Sequence, residues 1–263
     1  MRRLYLLLLG FLLAPPVLAV RLVTLAPHLT ELAFEAGAGE QLVAVSSWSD
    51  YPQQARDLPR IADAFHVDYE QLLQLQPDWV LLWQEGTPRQ VELKLRRLGL
   101  QVWPVSIRAL QDIPTTLRRL GRLAGTEAVA EQAAARFERR LAEMGPVRHG
   151  TPVPVFIQIS QRPLMTVNGQ HLLSEVVRFC GGRNVFDDLQ VLVPQVGLEG
   201  VLARKPAWII QSEREPAELW HGLQSKGLLS EKLRVLVLPP EQIMRPTSRL
   251  LDGVERICQA LSG

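Results

Sequence analysis

The sequence predicts an α/β protein of two lobes, each a mainly parallel sheet flanked by helices, with one long helix between them. Three observations carry this. Short apolar runs alternate with amphipathic helical segments over short connections, which is the pattern of parallel sheets with covered faces. Two stretches, 68–82 and 197–210, nearly repeat each other. In each a glutamate (Glu70, Glu199) opens a short helix, a proline follows (Pro77, Pro206), and a tryptophan (Trp79, Trp208) begins an apolar run at the same spacing. Finally, Glu127 to Met144 runs without proline or glycine.

The first 19 residues read as an export signal. Arg2 and Arg3 precede an apolar run from Leu4 to Leu13, and Val17-Leu18-Ala19 supplies a small-residue cleavage site. The run is short for a membrane span. Val20 rather than a cysteine follows, which argues against a lipid anchor. Cleavage removes two positive charges, taking the formal net charge from +2 to zero. A neutral chain with scattered charges has no reason to seek nucleic acid or an anionic membrane.

In the first lobe, Arg21 to Leu25 reads as a strand. Thr30 to Gly37 follows as a helix with Thr30 near its N-cap and Gly37 near its C-cap. Leu42 to Val45 is a short strand entering the polar run Ser46 to Pro52. The first Glu–Pro–Trp stretch gives helix, turn and buried strand, because proline cannot continue a helix and pushes its predecessor toward extended backbone. Pro88 to Leu98 then reads as a helix, Gln101 to Pro104 as a strand and Asp112 to Leu123 as a helix broken at Gly125-Thr126. The long segment from Glu127 carries an apolar stripe at Val129, Ala133, Phe137 and Leu141. At the usual rise it spans about 27 Å, a length that suits a rigid connector or a surface helix of the first lobe.

The second lobe restarts with Val153 to Ile159 as a strand. Ser174 to Gly181 echoes Thr30 to Gly37: hydroxyl, Glu, apolar positions, then glycine at the same distance. Two echoes together point to an ancient duplication. Trp208 to Gln211 and Val235 to Leu238 read as strands, and Ser248 to Leu261 as a closing helix. The two cysteines, Cys180 and Cys258, read as a disulfide in an exported chain or as two buried thiols.

No phosphate-cradling glycine loop, paired-histidine zinc motif or nucleophile elbow is present. The five histidines are dispersed; His28 and His66 fall in expected loops beside a cleft. The chain reads as a binder rather than an enzyme. Trp79, Trp103 and Trp208 sit within apolar strands and read as core. Trp48, Phe65 and Trp83 instead fall in loops or at strand ends beside polar residues. In parallel α/β lobes ligands sit at the carboxyl ends of strands, so these rings suit a bulky amphipathic ligand.

Several segments resemble the periplasmic vitamin B12-binding proteins, a branch of the helical-backbone receptors of ABC importers. They are Leu25-Ala26-Pro27-x-x-Thr30-Glu31-Leu32-Ala33-Phe34, Val45-Ser46-Ser47-Trp48-Ser49-Asp50-Tyr51-Pro52 and Cys180-Gly181-Gly182-x-Asn184-Val185-Phe186. Pro194-Gln195-Val196, Val201-Leu202-Ala203-Arg204-x-Pro206 and Cys258-x-Ala260-Leu261-Ser262 extend the likeness to the C-terminus. The Thr-Glu-Leu opening is common to iron-complex and cobalamin receptors, whereas the Ser-Ser-aromatic-Ser-Asp-Tyr-Pro run is more particular to the B12 branch.

The resemblance implies a signal at 1–19, an N-terminal lobe at 20–126, a connecting backbone helix at 127–145 and a C-terminal lobe at 146–263. It implies a Cys180–Cys258 disulfide, and cobalamin carried between the lobes as transported ligand, with no cofactor and no metal of the protein's own. The implied ligand set is Trp48, Phe65, Trp83, Met165, Val193 and the loop Glu241, Gln242, Ile243, Met244, Arg245. Glu70 and Glu199 are implied to dock on arginines of a two-fold permease dimer in the inner membrane, the free receptor being a periplasmic monomer. Ala64 stands where the family has a Trp, with Phe65 adjacent; Met165 replaces a Phe, Val193 a Trp and Glu241 an Asp. A receptor for a ferric siderophore or haem on the same scaffold is the alternative. A periplasmic enzyme or metal-handling protein on this scaffold, using His28, His66 and Glu241, ranks below it.

Overall fold

A computed structural model describes residues 20–63, 65–147, 150–213 and 217–263. The expected export signal and the position of Ala64 lie outside these. Among the described residues, β1 (Leu22–Thr24), β2 (Leu42–Ser46), β3 (Arg60–Ala62), β4 (Trp79–Trp83) and β5 (Val102–Val105) form one sheet. Its order is β3-β2-β1-β4-β5, and every pairing is parallel. A second parallel sheet has the order β11-β10-β6-β9, from β6 (Val153–Gln158), β9 (Gly182–Asn184), β10 (Trp208–Ser212) and β11 (Arg234–Leu238). The short strands β7 (Ser160–Gln161) and β8 (Leu164–Met165) make an antiparallel hairpin beside it.

The two orders match. Set β6 on β1, β9 on β2, β10 on β4 and β11 on β5, and both sheets have the same sequence of neighbours, β3 being an extra edge strand of the first. The repeated stretches occupy equivalent places: α2 (Tyr69–Gln74) leads into β4, and α7 (Leu198–Arg204) leads into β10. In both, the residue before the proline departs from the expected extended backbone. Gln76 (φ 44°) and Lys205 (φ 46°) are left-handed, a conformation that costs a non-glycine residue roughly 1–2 kcal/mol. The tight reversal it gives lets the following strand dock at once.

Alternation along the strands explains how the lobes are built. In β4, Leu81 faces one core while Val80 and Leu82 face another; in β6, Val155 and Ile157 oppose Phe156. This is the period-2 rule of strands buried on both faces. The outer faces are separate cores, one per lobe, the first packed around Leu72 and Leu95 and the second around Trp220. The inner faces merge into one core that contains Leu29, Leu32, Phe137, Val177 and Leu250.

The helix α5 (Glu127–Met144), with the bounds expected from sequence, lies at that junction, packing on α1 (Pro27–Glu35), α4 (Asp112–Ala124) and α9 (Leu250–Ser262). Its buried face is Ala130, Ala133, Ala134, Phe137 and Leu141. Val129, expected in the stripe, is exposed: the true face follows the 3.6-residue period rather than a strict spacing of four. Arg140 ties α5 to α9, 2.6 Å from Asp252 and 3.3 Å from Glu255.

Two helix starts differ from expectation. Helix α1 begins at Pro27 rather than Thr30, because proline's fixed φ suits a first helical position. Thr30 turns inward, 2.7 Å from the Thr24 hydroxyl and 2.9 Å from that of Ser49. Likewise α6 (Leu172–Phe179) begins before Ser174, with His171 Nδ1 accepting the Leu173 N–H at 3.1 Å. The Ser174 hydroxyl donates to the Asn168 carbonyl at 2.7 Å and accepts from Asn184 Nδ2. The echoed hydroxyls are therefore matched internal ties rather than caps. Of the tryptophans expected in the core, Trp103 is buried, while Trp79 and Trp208 are half-buried against the shared core. Cys180, at the end of α6, and Cys258, in α9, form a disulfide.

Candidate functional site

The carboxyl ends of β1, β2, β3 and β4 deliver their loops to one edge of the first lobe. A concavity of about 210 Å³ there is lined by Trp48, Phe65, His66 and Trp83 among others. It is smaller than the roughly 300–1,000 Å³ of an enclosed small-molecule site, so it is one wall of a cleft rather than a chamber. Each ring has its own support. Trp48 follows β2 with a left-handed backbone (φ 65°) and is 73% exposed. Strained backbone in a non-glycine residue persists only where its surroundings enforce it, and it concentrates at functional sites. The enforcing contacts are the Ser46, Ser49 and Thr30 hydroxyls beneath the loop. Phe65 is fully exposed on a turn whose Phe65 and His66 N–H groups both donate to Asp63 Oδ1 at 2.8 Å. Those bonds hold the Asp63 carboxyl below its ordinary range. Trp83 closes β4 and lies over Gly86, where any Cβ would meet its ring at 2.0 Å. The Trp83 ring also meets that of His28 in a T-shaped contact, centroids 5.4 Å apart.

His28 is not in a loop, as sequence suggested, but in the first turn of α1, and it is buried. Burial, then the nearby charge of Arg245, lowers its pKa to about 3, so it is a neutral support for Trp83. His66 is exposed in the Asp63 turn and lines the same concavity as Trp83. Among the described residues no three His, Cys, Asp or Glu side chains are grouped to hold a metal ion.

From the second lobe, the turn after β11 brings Arg245 across. Its Nη1 donates to Glu31 Oε1 at 2.6 Å and Asp50 Oδ1 at 2.7 Å, and its Nη2 to the Trp48 carbonyl at 3.0 Å. Burial opposes ionisation of Asp50, but the hydrogen bond and charge of Arg245 outweigh it and hold that carboxyl below its usual range. Arg249 continues the chain, 3.5 Å from Glu31 Oε2 and 3.3 Å from Glu241. The expected ligand run is thus split by its turn. Glu241, Met244 and Arg245 remain at least partly exposed. Ile243 is 4% exposed within the shared core, which corrects its expected place at the ligand surface. Gln242 faces α9: its side chain accepts from Arg256, and its carbonyl lies where a Cβ on Gly253 would be 2.0 Å away.

Val193 and Trp83 share a small hollow of about 50 Å³ between the lobes, with Glu85, Arg108 and His171. Met165 sits half-buried on the hairpin, bridged through its backbone to Gln195. Sequence reasoning missed the partners of Arg245: Glu31 reads as one more polar position of an amphipathic helix, and Asp50 as a turn residue. A larger, open hollow of about 770 Å³ lies on the flank where α1 meets the start of α9. It is lined in part by Glu31 and by none of the Trp48, Phe65 and Trp83 rings.

Glu70 and Glu199 are exposed in the first turns of α2 and α7. Crossover helices run antiparallel to their strands, so both N-terminal turns face the edge at which the cleft opens.

The sequence pattern of the periplasmic binding protein family matches residues 22–230. A vitamin B12-binding protein of Vibrio cholerae is 37% identical over 253 residues, 95% of this chain and 92% of the relative. One from Pectobacterium atrosepticum is 38% identical over 261 residues, 96% and 93% of the two chains. The crystal structure of the periplasmic vitamin B12 binding protein BtuF of Vibrio cholerae superposes with a TM-score of 0.84 at 36% identity, covering 93% of this chain and 97% of that one.

Proposed function

This chain belongs to the periplasmic binding protein family, and on that premise we propose that it captures cobalamin between its two lobes and delivers it to an ABC importer. The observation that carries the reading is the set of outward-facing rings, Trp48, Phe65 and Trp83, at the strand ends of the first lobe. Flat apolar faces at a cleft suit a corrin ring and its nucleotide base, each ring adding area and stacking energy. Met165 and Val193 offer softer packing from the second lobe, with Glu241, Met244 and Arg245 as its polar rim. The names of the 37–38% identical relatives support the same ligand.

The delivery step rests on Glu70 and Glu199. A helix-dipole benefit explains either carboxylate alone, but not their matched positions on two equivalent helices. We assign them to docking on a two-fold permease, from a periplasmic receptor that is monomeric when free. The lobe limits 20–126 and 146–263, with 127–145 as connecting helix, belong to the same reading. Calorimetric titration of the exported protein with cyanocobalamin tests it. One equivalent binding with a dissociation constant of about 1 μM or tighter is expected; no binding at tenfold that concentration ends it.

A further inference from the structure

We propose that Glu31 and Asp50 set the charge of ligand this cleft accepts, by neutralising Arg245 so that a net-neutral, amide-rich corrinoid is favoured over polyanionic tetrapyrroles or iron chelates. The proposal rests on the cobalamin reading above and concerns two residues assigned no role in it.

Asp50, Arg245, Glu31, Arg249 and Glu241 form one alternating chain across the lobes, with contacts of 2.7, 2.6, 3.5 and 3.3 Å in that order. Three carboxylates face two guanidinium groups, so the chain carries one excess negative charge. The Glu31 side chain is only 3% exposed and cannot swing into solvent. Its Oε2 has no hydrogen-bond partner among the described residues; Arg249 at 3.5 Å offers charge without an aligned bond. His28, one turn earlier on the same helix, is neutral and adds no positive charge. Arg108, at the hollow shared by Trp83 and Val193, is likewise held, 3.0 Å from Glu85. Arg245 therefore reaches the cleft with its charge already answered.

An anion brought to it meets Asp50 and Glu241 as well. A primary amide does not suffer this, since it places a donor beside an acceptor. Its N–H can serve Asp50 or Glu241 while its oxygen takes a free Arg245 N–H. Exchanging one amide of the ligand for a carboxylate removes the donor and adds a like charge, and discrimination of this kind works by repelling the wrong ligand.

The experiment compares cyanocobalamin with its monocarboxylic acids, each made by hydrolysing one peripheral amide and each isomer titrated separately at pH 7. With the wild type, at least one acid should bind more weakly than cyanocobalamin. In Asp50→Asn the ratio of the two affinities should move toward one by roughly fivefold, the effect of unit charges about 8 Å apart at an effective dielectric near 40. That gain should shrink at high salt, and Asp50→Glu should keep the wild-type ratio. Asp50 is 52% exposed, so its replacement spares the buried Glu31. Any loosening of the lobes weakens both ligands and cancels in the ratio. Equal binding of every acid and cyanocobalamin by the wild type, or an unchanged ratio in Asp50→Asn, overturns the proposal. If cyanocobalamin itself does not bind the wild type, the ligand reading fails first and takes this proposal with it.

Discussion

Breaking the Cys180–Cys258 bridge should cost this chain stability without costing it ligand. The bridge joins the end of α6 to α9 across 78 residues of sequence. In the chain-entropy account, closing a loop of that length removes about 15 cal/mol/K from the unfolded ensemble, or about 4.5 kcal/mol at 25 °C. A chain of this size loses roughly 2–4 °C per kcal/mol. Protein unfolded and refolded in reductant should therefore melt roughly 9–18 °C below the oxidised form in a calorimetric scan. Reduced wild type is a better subject than a cysteine variant, because both sulfurs are buried and their packing is then retained. Both cysteines lie in the shared core, so cyanocobalamin affinity at 25 °C should be the same in both forms. A drop below about 3 °C would refute the reasoning, since the unfolded chain would then gain almost no freedom from losing the bridge. A large loss of affinity at 25 °C would refute the separation of bridge from cleft.

Charge reversal at both lobe tips, Glu70→Arg with Glu199→Arg, should abolish stimulation of the importer's ATPase in proteoliposomes while leaving cobalamin affinity intact. Parallel loss of affinity would make the two residues part of the fold or the cleft. Acid should weaken the fold through His28 and His171, which burial lowers to about 3 and about 4 from an unfolded value of 6.5. Between those limits the unfolded chain holds protons that the folded chain does not, so their contribution is complete above pH 6.5 and is lost as pH falls. From pH 7 to 5 each should cost up to about 2 kcal/mol in urea unfolding. The slope should flatten in His28→Gln with His171→Asn, the asparagine keeping an acceptor at the start of α6. An unchanged slope there assigns the acid sensitivity elsewhere.

Much of the framework is legible along the chain because it follows from local rules. The limits of α5 appear as a run without breakers between Gly125-Thr126 and Gly145-Pro146. The internal repeat appears in the Glu–Pro–Trp spacing, and the sheet orders match it. Other elements carry no such signal. Strand β9, Gly182-Arg183-Asn184, has no alternation and exists because the edge of β6 is there to pair with. The left-handed Gln76 and Lys205 are residue types that do not announce that conformation; the strands docked immediately after them hold them in it.

The site divides in the same way. An exposed ring beside a strand end can be recognised in sequence, because apolar area among polar neighbours asks for a partner, and Trp48, Phe65 and Trp83 were identifiable on that ground. Ile243 and Gln242 could not be told from their neighbours, since one turn decides which side chains of a five-residue run reach the cleft. Least visible was the Arg245 cluster, because Glu31 and Asp50 come from the first lobe, 214 and 195 residues away from Arg245 in sequence. Sequence by itself determined the α/β framework, its internal repeat and the cleft aromatics, because these depend on periodicity and residue type. Only the tertiary structure decided the charge the cleft presents, because Coulomb interactions depend on distance in space.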